Sequence, residues 1–171
     1  MSDVSIDGEA HRSSIRTESR INIAASALDA CSYLSDVGRW QEWAPTVIAC
    51  RVRGGGPLQP GAWLDQRAKG ILGTSRRRSQ QVIVVDPPHH LAFAGPMGTS
   101  VARWGMEFTP IDDQRTEAEM WIEVDLAGVM RAIPRVLKAR IQRVSDLEMV
   151  AIKAALESAR PRTRSPATNL A

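Results

Sequence analysis

The longest periodic pattern in the chain lies near its C-terminus, over Gly128–Ala159. Apolar residues recur there at about 3.6-residue intervals, which places them on one face of an α-helix. Charged and amide side chains occupy the opposite face, and Pro134 suits either the first helical turn or a kink after a short leading turn. The pattern therefore predicts a long amphipathic helix whose buried stripe consists of Val129, Ile133, Val136, Leu137, Ile141, Val144, Leu147, Val150, Ala151 and Ala154.

Upstream of this helix the pattern changes to the alternation that is typical of strands. Ser14–Ala25 alternates apolar or small residues with charged ones, as a half-buried strand does. Ser100–Thr109 and Glu117–Leu126 place their apolar residues on one face, and the second carries acidic residues on the other, which predicts an antiparallel hairpin. Glycine and proline clusters separate four further predicted strands, at Val47–Arg53, Ala62–Lys69, Ser75–Asp86 and His90–Gly95.

Two short helices are predicted between the first and second strands. Ser26 can cap the first of them, with Asp29 three residues later as an acidic variant of the capping box. Its inner face is predicted to contain Leu28, Cys31 and Leu34. Asp36–Pro45 predicts a second short turn or helix, on which Trp40 and Trp43 share a face.

Hairpin-sized connections and a single long helix favour one architecture. A curved antiparallel sheet can bury its apolar face against the helix, and the helix can bury its stripe against the sheet. The predicted fold class is therefore α+β, with a curved seven-stranded antiparallel sheet wrapped around a long C-terminal helix and two short helices between strands 1 and 2. We expect one domain at residues 14–159, a flexible head at residues 1–13 and a disordered basic tail at residues 160–171.

Composition and charge exclude several classes of function. The chain is 43% hydrophobic and 24% charged, which is ordinary for a globular protein. It contains no run of eighteen apolar residues, so no membrane span is predicted, and its acidic first residues differ from a signal peptide, which predicts a cytoplasmic location. Most of the net charge of +3 comes from the tail, and the remaining charges are mixed in sign, so no nucleic-acid partner is predicted.

Motifs that would bind a metal or a cofactor are scarce. Cys31 and Cys50 are expected to be free, buried core residues. The three histidines have no ligand spacing, so we predict no metal and no cofactor. Gly54–Gly56 favours a tight turn over a phosphate cradle, because a strand rather than a helix follows it.

Several segments in combination match a known pattern. Asp36–Pro45 reads D-x-x-x-W-x-x-W-x-P, and Val85–Leu91 reads V-D-P-P-x-x-L. With Arg20–Ala25 and the glycine-rich connection Gly54–Gly61, they resemble the START-related SRPBCC superfamily, which includes the birch-pollen allergen and polyketide cyclase/dehydrase families. The resemblance covers roughly residues 14–159. It implies a helix-grip fold with a hydrophobic cavity between sheet and helix for lipids, polyketides or other apolar metabolites, but no universal catalytic motif.

The side chains assigned to the inner faces are the candidates for the wall of such a cavity. They come from the third, fourth, sixth and seventh strands and from the long helix. The predicted lining residues are Leu64, Gln66, Arg76, Arg78, Gln80, Trp104, Met106, Phe108, Met120, Ile122, Val124, Ile133, Leu137, Ile141 and Val144. Trp40 and Trp43 are expected to pack the short helices instead, and Arg140 and Glu148 are expected to form an ion pair at the edge of the helix stripe.

The orientation of the fourth strand decides how polar the cavity is. If the phase of Val82 and Val84 holds along the strand, Arg76, Arg78 and Gln80 point inward, and an inward arginine can bind a carboxylate or enolate. If Ile83 and Val85 point inward instead, the arginines face solvent. The unbroken apolar run Val82–Val85 leaves both alternatives open.

Three functions are compatible with these residues. The first is binding or carriage of an apolar small molecule, such as a lipid, polyketide or aromatic metabolite, by a monomer or homodimer. The second is a polyketide cyclase/dehydratase-like reaction that uses a cavity arginine. The third is a protein-interaction module that uses a sheet edge or the basic tail.

Overall fold

The computed structural model describes residues 14–69 and 74–158. Its strands are β1 (Ser14–Ile23), β2 (Val47–Val52), β3 (Trp63–Lys69), β4 (Ser75–Asp86), β5 (His90–Met97), β6 (Ser100–Asp112) and β7 (Arg115–Asp125). Its α-helices are α1 (Ala27–Ser35), α2 (Trp40–Trp43) and α3 (Pro134–Ser158), and 3₁₀ turns lie at Val37–Arg39 and Gly128–Ala132. The predicted head and the predicted tail lie outside the described residues. So do residues 70–73, where Gly70 and Gly73 predict a hairpin turn between the third and fourth strands.

The seven strands form one antiparallel sheet in the order β1-β7-β6-β5-β4-β3-β2. From β7 to β2, strands that are neighbours in the sheet are also consecutive in sequence. The first strand, β1, pairs with the last, β7, along its whole length. In the β6–β7 hairpin Met106 stands opposite Met120, and both are buried on the inner face. The sheet curves around α3, which confirms the predicted α+β helix-grip fold.

The start of α1 follows the predicted capping pattern. The Ser26 hydroxyl accepts a hydrogen bond from the Asp29 backbone N–H at 3.1 Å and donates one to the Asp29 carboxylate at 2.7 Å. The predicted inner face is only partly correct. Cys31 and Leu34 are buried, but Leu28 is 59% exposed because the small residues Ala27 and Ala30 face the sheet in its place.

The ambiguous apolar run of β4 contains an irregularity. The pairing of β4 with β5 shifts between Val82, opposite Phe93, and Val84, opposite Ala92. Val82 is fully buried and Ile83 is exposed, whereas beyond the shift Val85 packs on the core. Each alternative is therefore correct on one side of the bulge, because the extra residue reverses the phase of the strand.

The prediction of the buried stripe on α3 was largely wrong. The residues of α3 buried most deeply are Ser145, Met149, Ile152 and Leu156. Val136 is 66% exposed and Leu147 is 58% exposed, and other stripe members that are exposed are Val129, Ile133, Val144, Val150 and Ala154. Apolar residues occupy two faces of this helix, and sequence periodicity does not tell which of them meets the sheet.

Polar residues of α3 that were assigned to solvent instead bind the free edge of β1. Gln142 Nε2 donates to the Glu18 carbonyl at 2.8 Å, and Lys153 Nζ donates to the Asn22 carbonyl at 2.5 Å. The Ser19 hydroxyl donates to the Asp146 carboxylate at 2.6 Å. The bonds from Gln142 and Lys153 occupy backbone carbonyl groups of a strand edge that would otherwise be open to another chain.

The core lies mainly between the inner face of the sheet, α1, α2 and the C-terminal half of α3. A second, smaller cluster contains Ile15, Val124 and Leu126. Cys31 and Cys50 are free and buried, as predicted. Among residues 14–69 and 74–158, no helix is both long and apolar enough to cross a membrane.

Candidate functional site

A cavity of about 360 Å³ lies between the inner face of the sheet and the helices α2 and α3. This volume falls within the range of small-molecule binding sites. Nine of the predicted lining residues contact it: Gln66, Arg78, Gln80, Trp104, Met120, Ile122, Leu137, Ile141 and Val144. These residues of β3, β6 and β7 therefore lie on the predicted inner faces, and for β4, whose orientation was left open, the alternative in which Arg78 and Gln80 point inward applies at the cavity.

Six other predicted lining residues lie elsewhere. Leu64, Met106 and Phe108 are buried in the main core, where neighbouring side chains fill the space around them. Val124 belongs to the second cluster, two residues beyond Ile122 of the cavity wall on β7. Arg76 and Ile133 are exposed and lie outside the cavity. The alternation of a strand gives the face of a residue but not its position along the sheet, which decides between core and cavity.

The tryptophans of α2 are part of the cavity wall, which the sequence analysis did not anticipate. Trp40 packs edge-on against Phe93 at 5.2 Å between ring centroids, and Phe93 stacks on Trp104 at 4.4 Å. Trp40 Nε1 donates to the Leu34 carbonyl at 2.8 Å, which satisfies its polar atom inside the core. This cluster holds α2 against the sheet and forms an aromatic end of the cavity.

Trp43 is buried beside Trp40, with 5.8 Å between the two rings. Its indole Nε1 is buried and has no hydrogen-bond partner in the described part of the chain. A buried donor without a partner loses free energy relative to water, and a bound oxygen atom would recover it. The sequence carries one signal for this part of the wall. Trp40 and Trp43 lie three positions apart, so they share one helix face.

The sheet side of the cavity carries a small group of polar side chains. Gln66 of β3 stands opposite Arg78 of β4 in the strand register. Gln80 Oε1 accepts a hydrogen bond from Trp104 Nε1 at 2.9 Å, so the Gln80 amide nitrogen keeps its donor capacity. Arg78 makes no ion pair with any described residue.

The helix side contributes Arg140 and Glu148, two turns apart on α3. The predicted ion pair between them is absent from the described residues, and each faces the cavity instead. Burial raises the pKa of Glu148 to about 7, because the charged carboxylate loses its hydration in this environment. A carboxyl group that gains and loses a proton near neutral pH therefore lies in an apolar cavity.

Eight further residues border the cavity and were not among the predicted lining residues: Ala44, Thr46, Val47, Ser79, Gly95, Pro96, Met97 and Ala102. Gly95 permits a close approach of β5 to β4. A Cβ atom on Gly95 would lie 2.9 Å from the Ser79 carbonyl oxygen and 3.0 Å from Gln80 Cβ. The described residues contain no group of three or more His, Cys, Asp or Glu side chains that could hold a metal ion.

The sequence itself matches a known family over the same region. Residues 14–157 match the family described as "Polyketide cyclase / dehydrase and lipid transport". The chain belongs to this family. The match covers all the described strands and nearly all of α3, so the polyketide cyclase/dehydrase and lipid transport family accounts for the whole cavity-forming unit. No curated protein sequence matches the chain.

Solved structures share this fold at low sequence identity. A START superfamily protein from Mycobacterium smegmatis is 17% identical, with a TM-score of 0.66 over 85% of this chain and 99% of that one. The Zhui aromatase/cyclase from a Streptomyces species is 15% identical, with a TM-score of 0.68 over 85% and 94% of the two chains. A protein from Thermus thermophilus is 12% identical, with a TM-score of 0.68 over 86% and 100%. At these identities the likeness concerns the fold.

Proposed function

We propose that the protein binds and carries an apolar small molecule, a lipid, polyketide or aromatic metabolite, in the cavity between sheet and α3. The observation that carries this proposal is the cavity itself, whose wall is mostly aromatic and aliphatic. A well-packed domain of this size has few voids larger than a water molecule, so a space of about 360 Å³ is unusual for a core that serves stability alone. Family membership supports the same interpretation.

The composition of the wall favours a broad choice of apolar ligands. Trp40, Trp43 and Trp104 offer flat surfaces for rings or chains. Met97 and Met120 are unbranched and can adapt to different shapes. The few polar groups orient the ligand rather than supply most of the binding energy.

Native mass spectrometry of the purified protein, followed by organic extraction, tests the proposal directly. We expect a bound molecule of defined mass that is released by the solvent. An empty protein that also fails to bind any member of a panel of lipids and polycyclic aromatic molecules would contradict the proposal.

A cavity-filling substitution separates binding in the cavity from binding on the surface. Ala102 of β6 lines the cavity, and Ala102→Phe would fill part of it. Ala49→Phe places the same side chain on an exposed position of β2, outside the cavity. With 1-pyrenebutanol as the probe and energy transfer from tryptophan as the signal, we expect at least a tenfold loss of affinity for Ala102→Phe and less than a twofold change for Ala49→Phe. Equal affinities would place the ligand elsewhere.

A second candidate function is a polyketide cyclase/dehydratase-like reaction in the same cavity. Two observations favour it: Arg78 borders the cavity without an ion pair, and the pKa of Glu148 is raised to about 7. An arginine can stabilise an enolate, and a carboxyl group with a pKa near the working pH is suited to moving the proton. The reaction would join an enolate carbon to a second carbonyl of the same chain and release water.

Matched arginine variants test this second candidate. Arg78→Gln and Glu148→Gln should each reduce cyclisation of a linear poly-β-ketone by at least a hundredfold, measured by mass spectrometry as the loss of water. Arg76→Gln, on the same strand but outside the cavity, should retain activity. No turnover by the unmodified protein, or equal turnover by all the variants, would leave ligand carriage as the function.

A further inference from the structure

The charges around the cavity are unevenly distributed. The ionisable side chains that border it are Arg78, Arg140 and Glu148. Arg78 lies on the sheet side and Arg140 on the helix side, so the two guanidinium groups approach the cavity from opposite walls. Neither forms an ion pair or a side-chain hydrogen bond that involves a described residue, whereas Arg53 and Arg103 on the outer surface pair with Asp65 and Asp125.

Several other exposed arginines also lack an ion pair. Arg76 and Arg143 are examples, one on β4 and one on α3, and both lie outside the cavity. Arg78 and Arg140 are exposed as well, but they border the cavity, where an apolar ligand would displace part of the water around them.

We propose that the ligand is an apolar molecule with one carboxylate group, and that Arg78 and Arg140 hold this group between the sheet and α3. The inference rests on the proposed ligand-binding function and specifies the chemical class of the ligand. A guanidinium presents paired N–H donors that match the two oxygens of a carboxylate, and such charge-assisted bonds strengthen as water is excluded. Gln66, directly opposite Arg78 in the register, adds an amide donor on the same wall.

Glu148 limits the number of negative charges that the cavity accepts. It faces the same space as the two arginines, and no other acidic residue borders the cavity among the described residues. When its carboxyl group is protonated, the cavity carries two positive charges, and when it ionises, a bound carboxylate meets a like charge. The affinity for a carboxylate should therefore decrease as the pH rises through about 7, the pKa of Glu148.

Matched probes that differ only in the acid group test the proposal. 1-Pyrenebutanoic acid and 1-pyrenebutanol share one aromatic body, and hexadecanoic acid and hexadecanol share one aliphatic chain and are measured by displacement of the pyrene probe. We expect the protein to bind each acid about tenfold more tightly than its alcohol. Tighter binding of 1-pyrenebutanoic acid would indicate an aromatic carboxylate as the ligand, and tighter binding of hexadecanoic acid would indicate an aliphatic one.

Variants assign the preference to the two arginines. Arg78→Gln and Arg140→Gln should each weaken binding of the acid about five- to tenfold and change binding of the alcohol less than twofold. Arg76→Gln and Arg143→Gln remove the same charge outside the cavity and should leave both affinities unchanged. Glu148→Gln should remove the decrease in acid affinity between pH 6 and pH 8.

The outcomes distinguish this inference from the proposed function. Equal affinity for acid and alcohol, or a loss of both in the arginine variants, would overturn the carboxylate assignment while ligand binding stands. Equal losses of acid affinity in all four arginine variants would show a general effect of net charge and would also overturn it. If neither probe of either pair binds the unmodified protein, the proposed function and the inference both fail.

Discussion

At the scale of single residues, Glu148 is the side chain whose environment differs most from the sequence-based expectation. Its position at the edge of an apolar stripe suggested an ion pair with Arg140, but it faces an apolar cavity and has no ion pair within the described residues. Loss of hydration raises its pKa to about 7. Ionisable groups with a strongly shifted pKa cluster at binding and catalytic sites, which favours a functional role for Glu148 over a purely structural one.

The raised pKa has a consequence for stability that can be measured. The folded protein binds this proton more tightly than the unfolded chain does, so the protonated carboxyl group favours the folded state. This stabilisation is fully present below the unfolded pKa and is lost as the pH rises to about 7. Above that pH the folded state should be less stable by up to about 3 kcal/mol, the equivalent of the shift. Urea denaturation at pH 5 and pH 8 should show this loss in the unmodified protein and its absence in Glu148→Gln. Parallel curves for the two proteins would contradict it.

At the scale of elements, α3 has one buried face whose surroundings change along the helix. Leu137 and Ile141 in its N-terminal half border the cavity, and Met149, Ile152 and Leu156 in its C-terminal half pack on the core. The opposite face is exposed despite its valines and leucine. Most of the predicted stripe lies on that exposed face, so the regular spacing predicted the helix correctly while its orientation was wrong.

Two neighbouring substitutions distinguish the packed side from the exposed one. Met149→Ala removes a fully buried side chain and should cost about 2–4 kcal/mol in the free energy of unfolding. Leu147→Ala removes a side chain that is 58% exposed and should change it by less than about 0.5 kcal/mol. Chemical denaturation monitored by circular dichroism measures both. Comparable losses would mean that the outer side of α3 is packed in solution.

At the scale of the whole molecule, the sheet curves away from a straight helix, and the two elements separate between α2 and the N-terminal half of α3. Apolar packing closes the C-terminal half of α3 against the sheet, and hydrogen bonds that involve Gln142, Asp146 and Lys153 join the helix to the edge of β1. The cavity therefore occupies one end of a domain whose other end is a continuous core.

Occupation of the cavity should stabilise the entire domain. A ligand that binds only the folded state at one hundred times its dissociation constant adds about 2.7 kcal/mol, which for a domain of this size raises the unfolding temperature by about 5–10 °C. Differential scanning calorimetry with 1-pyrenebutanol measures the shift. Because its affinity is at least tenfold lower, Ala102→Phe should lose about half of the shift or more at the same probe concentration. An equal shift in that variant would place the ligand outside the cavity.

The sequence by itself determined the fold and the inner faces of most strands. Alternation in β3, β6 and β7 placed Gln66, Trp104, Met120 and Ile122 correctly, because strand geometry sends successive side chains to opposite faces. The two-tryptophan and V-D-P-P segments led to the family, which the match over residues 14–157 confirmed.

Only the tertiary structure decided which inward residues meet the cavity and which meet the core. The bulge in β4 brings Arg78 and Gln80 to the cavity and Val85 to the core, and the run Val82–Val85 carries no sign of its position. The rotation of α3 decides between Met149 and Leu147 as the buried side chain. Both depend on contacts between distant segments, whose free energies exceed the differences between local alternatives, so local periodicity could not resolve them.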